Sequence, residues 1–410
     1  MKKIRIFILF FIFTSITFAF SGKSSGTEKD PYQITNIKKL QELNNNMDAY
    51  YILMNDIDAS ETRNWNVGDH DGNPKTPDEP MGFEPLYFGG YLNGTGYIIS
   101  NLYINRPNES AIGLFTQLFK SNIKKLGLEN CDMTGGNGVS AFCAYNGYSE
   151  INECYITGKI NSIVTIGSGS VSGFSYSNIG YITDCYSSCE INLILNTKSK
   201  ENVVTGFSNC IIGGNSDCVR NSYTTGKVNI DKNDIDKIYS LSAFDNRGEH
   251  VYWDVETTGI PDSTIMRAGY VIHKGYSTQE MKLSKNYIGF DFKNVWYIKE
   301  EEDYPRLRAF LHPTKVDEVD MVADKLTIDI SPCPATATAQ IRYSAPYAKI
   351  IKIAITNIFG EEVAVHVSSQ SHEAGQFLLE LDVSAFPSGI YFCVLQTPAG
   401  AVTKQFVAVH

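Results

Sequence analysis

The side chains with the most obvious chemical potential in this chain are carboxylates. Asp69, Asp71 and Asn73 lie in its most acidic stretch, which runs from Asp69 through His70, Gly72, Pro74 and Lys75 to Asp78 and Glu79. Clustered oxygen ligands are what a Ca²⁺ ion requires. The EF-hand pattern is not met: Gly72 is misplaced for the sharp turn, and Pro80 holds the twelfth place, where a bidentate Glu belongs. The stretch reads better as a solvated insertion loop, with Ca²⁺ the one ion it would suit. Asp56 and Asp58 are one residue apart and could act as acid and base. Asn55, Ala59 and Ser60 beside them spell a turn, in which such carboxylates accept backbone amides instead. Trp65, Tyr87 and Tyr91 could form an exposed aromatic patch that stacks on sugar rings, although packing beneath the 61–86 loop is the stronger expectation. The seven histidines are scattered, with no HExxH, and no serine sits in GxSxG.

No catalytic constellation emerges, so the scaffold becomes the question. The chain has 410 residues, a formal net charge of −10 and 43% hydrophobic residues, with Tyr (24), Phe (22) and Gly (33) abundant. This mixture favours short strands joined by tight turns. The acidic balance argues against a nucleic-acid partner, which needs a basic footprint. Nine cysteines, an odd number without CxxC, match no zinc pattern; mostly free, buried thiols are expected rather than a disulfide framework.

The N-terminus has the make-up of a secretory signal peptide over residues 1–21. Lys2, Lys3 and Arg5 precede the apolar run Ile6 to Phe13, and Ala19 or Ser21 stands at the cleavage position. No other stretch approaches the roughly 18 apolar residues of a membrane span.

Self-comparison of the middle of the chain exposes a repeat. The word Ile151-Asn152-Glu153-Cys154-Tyr155-Ile156-Thr157-Gly158-Lys159-Ile160 returns from Ile182 to Ile191 and from Val219 to Val228. A second word precedes it and carries Phe115, Phe142, Phe174, Phe207 and Phe244, spaced 27, 32, 33 and 37 residues apart. A period near 30 with short β segments predicts an all-β chain: a right-handed parallel β-helix or related β-solenoid. Ile123, Ile151, Ile182 and Val219 should form one buried column, and Leu126, Cys154, Cys185 and Ser222 a second. Tyr155, Tyr186 and Tyr223 should form an aromatic ladder. Residues 37–45 read as a short helix presenting Ile37, Leu40 and Leu43. Ser277 and Glu280 form a capping box before a helix carrying Met281 and Leu283, and the two helices are expected to close the first and last rungs.

These words resemble the GLUG-repeat proteins. The resemblance runs over about residues 26–308, from Gly26 to Ile34, through Tyr51 to Asp58 and Phe88 to Leu102, to the exit words Tyr252-Trp253-Asp254, Phe290 to Trp296 and Tyr304-Pro305-Arg306-Leu307. It implies a surface β-helix at 26–312, with no shared catalytic residues. Residues 313–325 read as a charged linker. Residues 326–410 alternate short strands with Gly and Pro turns, which predicts a small Ig-like β-sandwich. With Pro332-Cys333-Pro334-Ala335, Asn357 to Val363 and the closing Lys404-Gln405-Phe406-Val407, they resemble a type A sorting domain of the type IX secretion system, with Cys333 and Ala385 departing from its usual Asn and Gly. The resemblance implies recognition by the outer-membrane translocon, removal of the domain, and a product released or peripherally held on surface polysaccharide. A non-catalytic surface or secreted protein that adheres to glycans or to host or matrix proteins is therefore expected. The alternative is a secreted β-helix carbohydrate-active enzyme, a polysaccharide lyase or glycoside hydrolase. Such enzymes place carboxylates or bases on successive rungs, whereas the outward positions here, Lys124, Asn152, Thr183 and Arg220, are mixed.

Overall fold

A computed structural model describes residues 20–21, 24–68, 78–210, 218–244, 248–262, 265–267, 270–311, 327–345, 349–372, 375–397 and 400–409. The segment 1–19, the Asp69, Asp71 and Asn73 loop and the 313–325 linker lie outside the described residues.

Among the described residues the repeat region is a β-solenoid wound from parallel strands. A representative rung enters through Cys143–Gly147, turns, continues through Glu150–Asn152, and turns again into Tyr155–Val164. Each strand pairs in parallel with its counterpart one repeat later: Ile123 with Ile151, Ile151 with Ile182, and Ile182 with Val219. Parallel pairing at a spacing of about 4.8 Å forces equivalent side chains into columns, so residue type repeats where volume matters. The Ile column is buried throughout. The Leu126–Cys154–Cys185–Ser222 column is equally buried, and the Cys154 and Cys185 amides donate to the Cys185 sulfur and the Ser222 hydroxyl of the next rung at 3.3 and 3.1 Å. The phenylalanines stack in order, with centroids 5.8, 4.7, 4.8 and 4.9 Å apart from Phe115 to Phe244. Tyr155, Tyr186 and Tyr223 stack nearly face to face at 4.9 and 5.0 Å, as the repeat predicts.

One corner is left-handed on five successive rungs. Lys125, Glu153, Asp184, Asn221 and His250 occupy it at φ of 53°, 49°, 52°, 44° and 55°. For Lys125 and Glu153, which lack the short polar side chain that eases Asn and Asp into it, this conformation costs on the order of 1 kcal/mol each. The word Thr-Gly-Lys has a different steric cause. A Cβ on Gly226 would stand 2.0 Å from the Cys189 carbonyl oxygen of the rung beneath, so only glycine permits that approach.

The N-terminal cap matches its pattern. Ile37–Gln41 is helical, Asn36 caps it by accepting the Lys39 amide at 3.0 Å, and Ile37, Leu40 and Leu43 are buried. The far end differs from expectation. Ser277 and Glu280 do form the capping box, with the Ser277 amide donating to Glu280 at 3.0 Å and the Glu280 amide donating back to the Ser277 hydroxyl at 3.3 Å. The helix that follows is a single 3₁₀ turn, Glu280–Lys282, whose Met281 is buried in the cluster built on the tyrosine ladder. Residues 277–311 then double back along the tyrosine ladder. Tyr252 meets Tyr287, Trp296 lies against both Tyr186 and Tyr223, and Phe310 meets Tyr155 edge-on at 4.7 Å. Aromatic rings stacked on a sheet exterior leave a large apolar face, and burying it drives the strap down. Two carboxylates fasten it. Asp254 is fully buried; it accepts the Glu256 and Thr257 amides on one oxygen, and Thr278 Oγ1 and Tyr304 Oη at 2.7 and 2.6 Å on the other. Asp184 accepts Trp296 Nε1 at 2.9 Å.

Residues 327–409 form two antiparallel sheets of three and four strands among the described residues. Ile330, Ile341 and Leu381 of the first share one buried cluster with Ile353, Ile355, Leu395 and Phe406 of the second.

Candidate ligand-binding surface

The solenoid's most distinctive exposed chemistry lies along the corner between its two sheets. At the first position after that corner, Tyr50, Tyr91, Asn122, Glu150 and Tyr181 stand in register on five successive rungs. Tyr50 and Tyr91 stack at 4.3 Å with rings almost parallel. Asn122 donates to the Glu150 carboxylate at 3.1 Å. In the turn itself Lys120 and Tyr148 are both left-handed at φ 54°, one rung above the other. Tyr148 is 62% exposed and meets the edge of the exposed Phe119, over which Lys120 Nζ lies at 5.4 Å. On the adjoining sheet face Tyr87, Gln117 and Tyr145 form a parallel column, and Tyr145 meets Tyr176 edge-on at 5.6 Å. Partial burial raises the Tyr145 phenol, with Tyr176 adding to the effect. The Tyr50 phenol is raised by desolvation first, then by Tyr91 and Glu28. These hydroxyls therefore remain neutral donors at ordinary pH.

Exposed ring faces interleaved with amide, carboxylate and ammonium groups can do two things at once. The rings cover the C–H faces of a sugar or the side chains of a protein, and the polar groups pair with hydroxyls or backbone. The periodicity is that of the rungs, so the strip suits an extended ligand.

The sequence-derived candidates separate here. Tyr87 and Tyr91 flank the Gly89–Gly90 turn and are 52% and 45% exposed. Trp65 is not beside them: it is half-buried, packed on the core and stacked on Phe83 at 6.4 Å. Tyr50, Phe119, Tyr145, Tyr148 and Tyr181 escape a reading that follows inward columns. Their signal was an aromatic residue at the junction between the repeat words. Asp56 and Asp58 act as turn acceptors. Asp56 takes the Ile98 amide at 2.9 Å, and Asp58 takes Asn101 and the Ser60 amide at 3.0 Å each, hydrogen bonds that hold its carboxyl below the usual value. Lys124, Asn152, Thr183 and Arg220 stand in register, and Arg220 pairs with Glu249 at 3.2 Å. Among the described residues, no three His, Cys, Asp or Glu side chains converge on a metal site, and no helix is long and apolar enough to cross a membrane.

Among the described residues seven cysteines are free thiols: Cys131, Cys143, Cys154, Cys185, Cys189 and Cys393 are buried and Cys333 is exposed, whereas Cys218 is disulfide-bonded. Burial pushes Cys143 and Cys189 up to about 12, so neither is a nucleophile at neutral pH.

Comparison with known proteins bears on both units. Residues 329–409 match the family model of the secretion system C-terminal sorting domain. A 152-residue stretch covering 35% of the chain is 37% identical to halomucin of Haloquadratum walsbyi, of which it spans 2%. Another, covering 32% of the chain, is 30% identical to a putative Gly-rich membrane protein of Evansella cellulosilytica, of which it spans 14%. The chain thus covers only a small part of either relative. The class defined is a β-solenoid protein bearing a type IX secretion sorting tail. That tail implies interaction with the type IX machinery and marks the chain for export to the outer surface.

Proposed function

We propose that the working part is a non-catalytic GLUG-repeat β-helix, right-handed in winding, that adheres to glycans or to host or matrix proteins at the cell surface or after release. The exposed aromatic and polar strip from Tyr50 to Tyr181 carries this reading. It offers ring faces and hydrogen-bonding groups at rung spacing without needing an ion; Ca²⁺ bound by Asp69, Asp71 and Asn73 would be an addition, not a requirement. Residues 1–21 direct export across the inner membrane. Residues 326–410, an Ig-like sandwich on our reading, engage the translocon and are then removed, leaving a solenoid over 26–312 that is released or peripherally held on surface polysaccharide. Support for an adhesive over an enzymatic role comes from the outward column Lys124, Asn152, Thr183 and Arg220, which mixes residue types where a lyase or hydrolase would gather carboxylates or bases.

The test is a glycan and matrix-protein array probed with the exported protein and with a Tyr91→Ala, Tyr148→Ala variant. Binding by the first and a loss of at least roughly tenfold by the second is the expected result, in line with removal of exposed ring contacts. No binding at all, or binding indifferent to the two substitutions, refutes it.

A further inference from the structure

Within the signal segment 1–21, Ala19, with Thr17 two places before it, and Ser21, with Ala19 two places before it, meet the small-residue requirement of signal cleavage next to the apolar run. The fold distinguishes them. Phe20 is only 5% exposed and belongs to the same core cluster as Ile37, Leu40 and Leu43. Its ring stacks on Tyr32 at 4.5 Å, meets the edge of Tyr51 at 5.5 Å, and carries Lys39 Nζ at 5.8 Å. Ser21 is held as firmly. Its amide donates to Glu42 Oε2 and its hydroxyl to Glu42 Oε1, each at 2.7 Å. Tyr32 and Tyr51 belong to the first two paired strands among the described residues, Tyr32–Ile34 and Tyr50–Leu53, so Phe20 covers the end of the aromatic column that those strands present. An uncovered end of a parallel array is a site of fraying and of association with other strands.

We propose that the signal is removed by hydrolysis of the Ala19–Phe20 bond, making Phe20 the first residue of the exported chain and the plug of its first rung. This rests on the export-signal reading of residues 1–21 and moves the boundary within it. Water supplies the hydroxyl that completes the Ala19 carboxylate. The Phe20 nitrogen leaves with the proton and becomes an ammonium one residue from the amide held by Glu42. Cutting after Ser21 would discard both docked residues, baring the rings of Tyr32 and Tyr51 and leaving the Glu42 carboxylate without either Ser21 donor.

N-terminal sequencing of the protein recovered from the cell surface or medium is decisive. A sequence beginning Phe20-Ser21-Gly22 is expected. A start at Gly22 overturns the proposal while leaving the signal reading intact; an unprocessed chain still carrying Met1 removes the signal reading and the proposal together. The plug is tested separately with two chains whose N-termini are set by removing a cleavable tag, one spanning 20–410 and the other 22–410. The shorter chain should melt lower by roughly 4 °C, the scale expected when one buried aromatic contact is lost from a domain of this size. Equal melting temperatures would refute the plug.

Discussion

Trp296→Phe isolates the hydrogen bond that fastens the strap. The phenyl ring keeps most of the aromatic contact with Phe290, Tyr223 and Tyr186, whose centroids lie 4.6, 5.9 and 6.2 Å from that of the indole. It loses the Nε1 donor to Asp184. A hydrogen bond to a charged acceptor contributes roughly 1.5–3 kcal/mol, and shrinking an indole in a packed site adds about 1 kcal/mol, so the total loss is about 3 kcal/mol. At about 2 °C per kcal/mol this lowers the solenoid's melting midpoint by about 6 °C. The pH dependence gives a sharper test. Burial raises the Asp184 carboxyl, while Trp296 and Asn221 pull it back down. A carboxyl raised on folding favours the folded state most fully below its unfolded value of about 4, and the advantage is lost as pH rises through the folded value. Removing the Trp296 donor raises the carboxyl further. The substitution should therefore cost more at about pH 7, where a charge is left poorly paired, than at about pH 4. Circular dichroism melts of wild type, Trp296→Phe, Asp184→Asn and the double variant supply the cycle. A loss equal at both pH values, or larger in acid, would sink the assignment. So would full additivity of the two substitutions, because groups in direct contact must couple.

Other outcomes follow from contacts already described. Gly226→Ala should destabilise the solenoid by about 3 kcal/mol or more, since its Cβ meets the Cys189 carbonyl rather than a yielding side chain, and urea midpoints would register the change. In thiol labelling of the native chain, Cys333 should react at once, while Cys131, Cys143, Cys154, Cys185 and Cys189 react only after unfolding; labelled peptides identified by mass spectrometry give the order. Deleting residues 329–409 should leave the solenoid folded inside the cell envelope and absent from the surface, as cell fractionation would show.

Much of the solenoid could be read from sequence because parallel stacking repeats a side chain wherever the repeat returns. Ile151, Ile182 and Val219, or Phe142, Phe174 and Phe207, are related by register, and register is what self-comparison detects. The strap is hidden for the opposite reason. Phe290, Trp296 and Phe310 occur once each, and their partners Tyr223, Asp184 and Tyr155 lie far back in the chain, so no period links them. The left-handed corner is only partly legible: Asp184, Asn221 and His250 are residue types enriched at positive φ, whereas Lys125 and Glu153 give no such signal. The exposed strip was half legible. Tyr87 and Tyr91 read from sequence as one aromatic group with Trp65, and nothing local separates them from Trp65, whose ring packs on the core. Which face a ring occupies is settled by winding, and winding is a property of the whole array.

The strap alters how this protein can come apart. A plain solenoid is a stack of nearest-neighbour contacts and loses its end rungs one at a time. Here Tyr287 grips Tyr252 near one end while Phe310 grips Tyr155 toward the other, so an end rung cannot peel without loosening bonds several rungs away. Tension or a protease at that end meets the joint resistance of the rungs the strap spans, from Tyr155 to Tyr252. The strap is also the last part of the solenoid to leave the ribosome. Until residues 277–311 dock, the outer faces of Tyr155, Tyr186, Tyr223 and Tyr252 stay uncovered and the rungs that carry them are held by neighbour contacts alone.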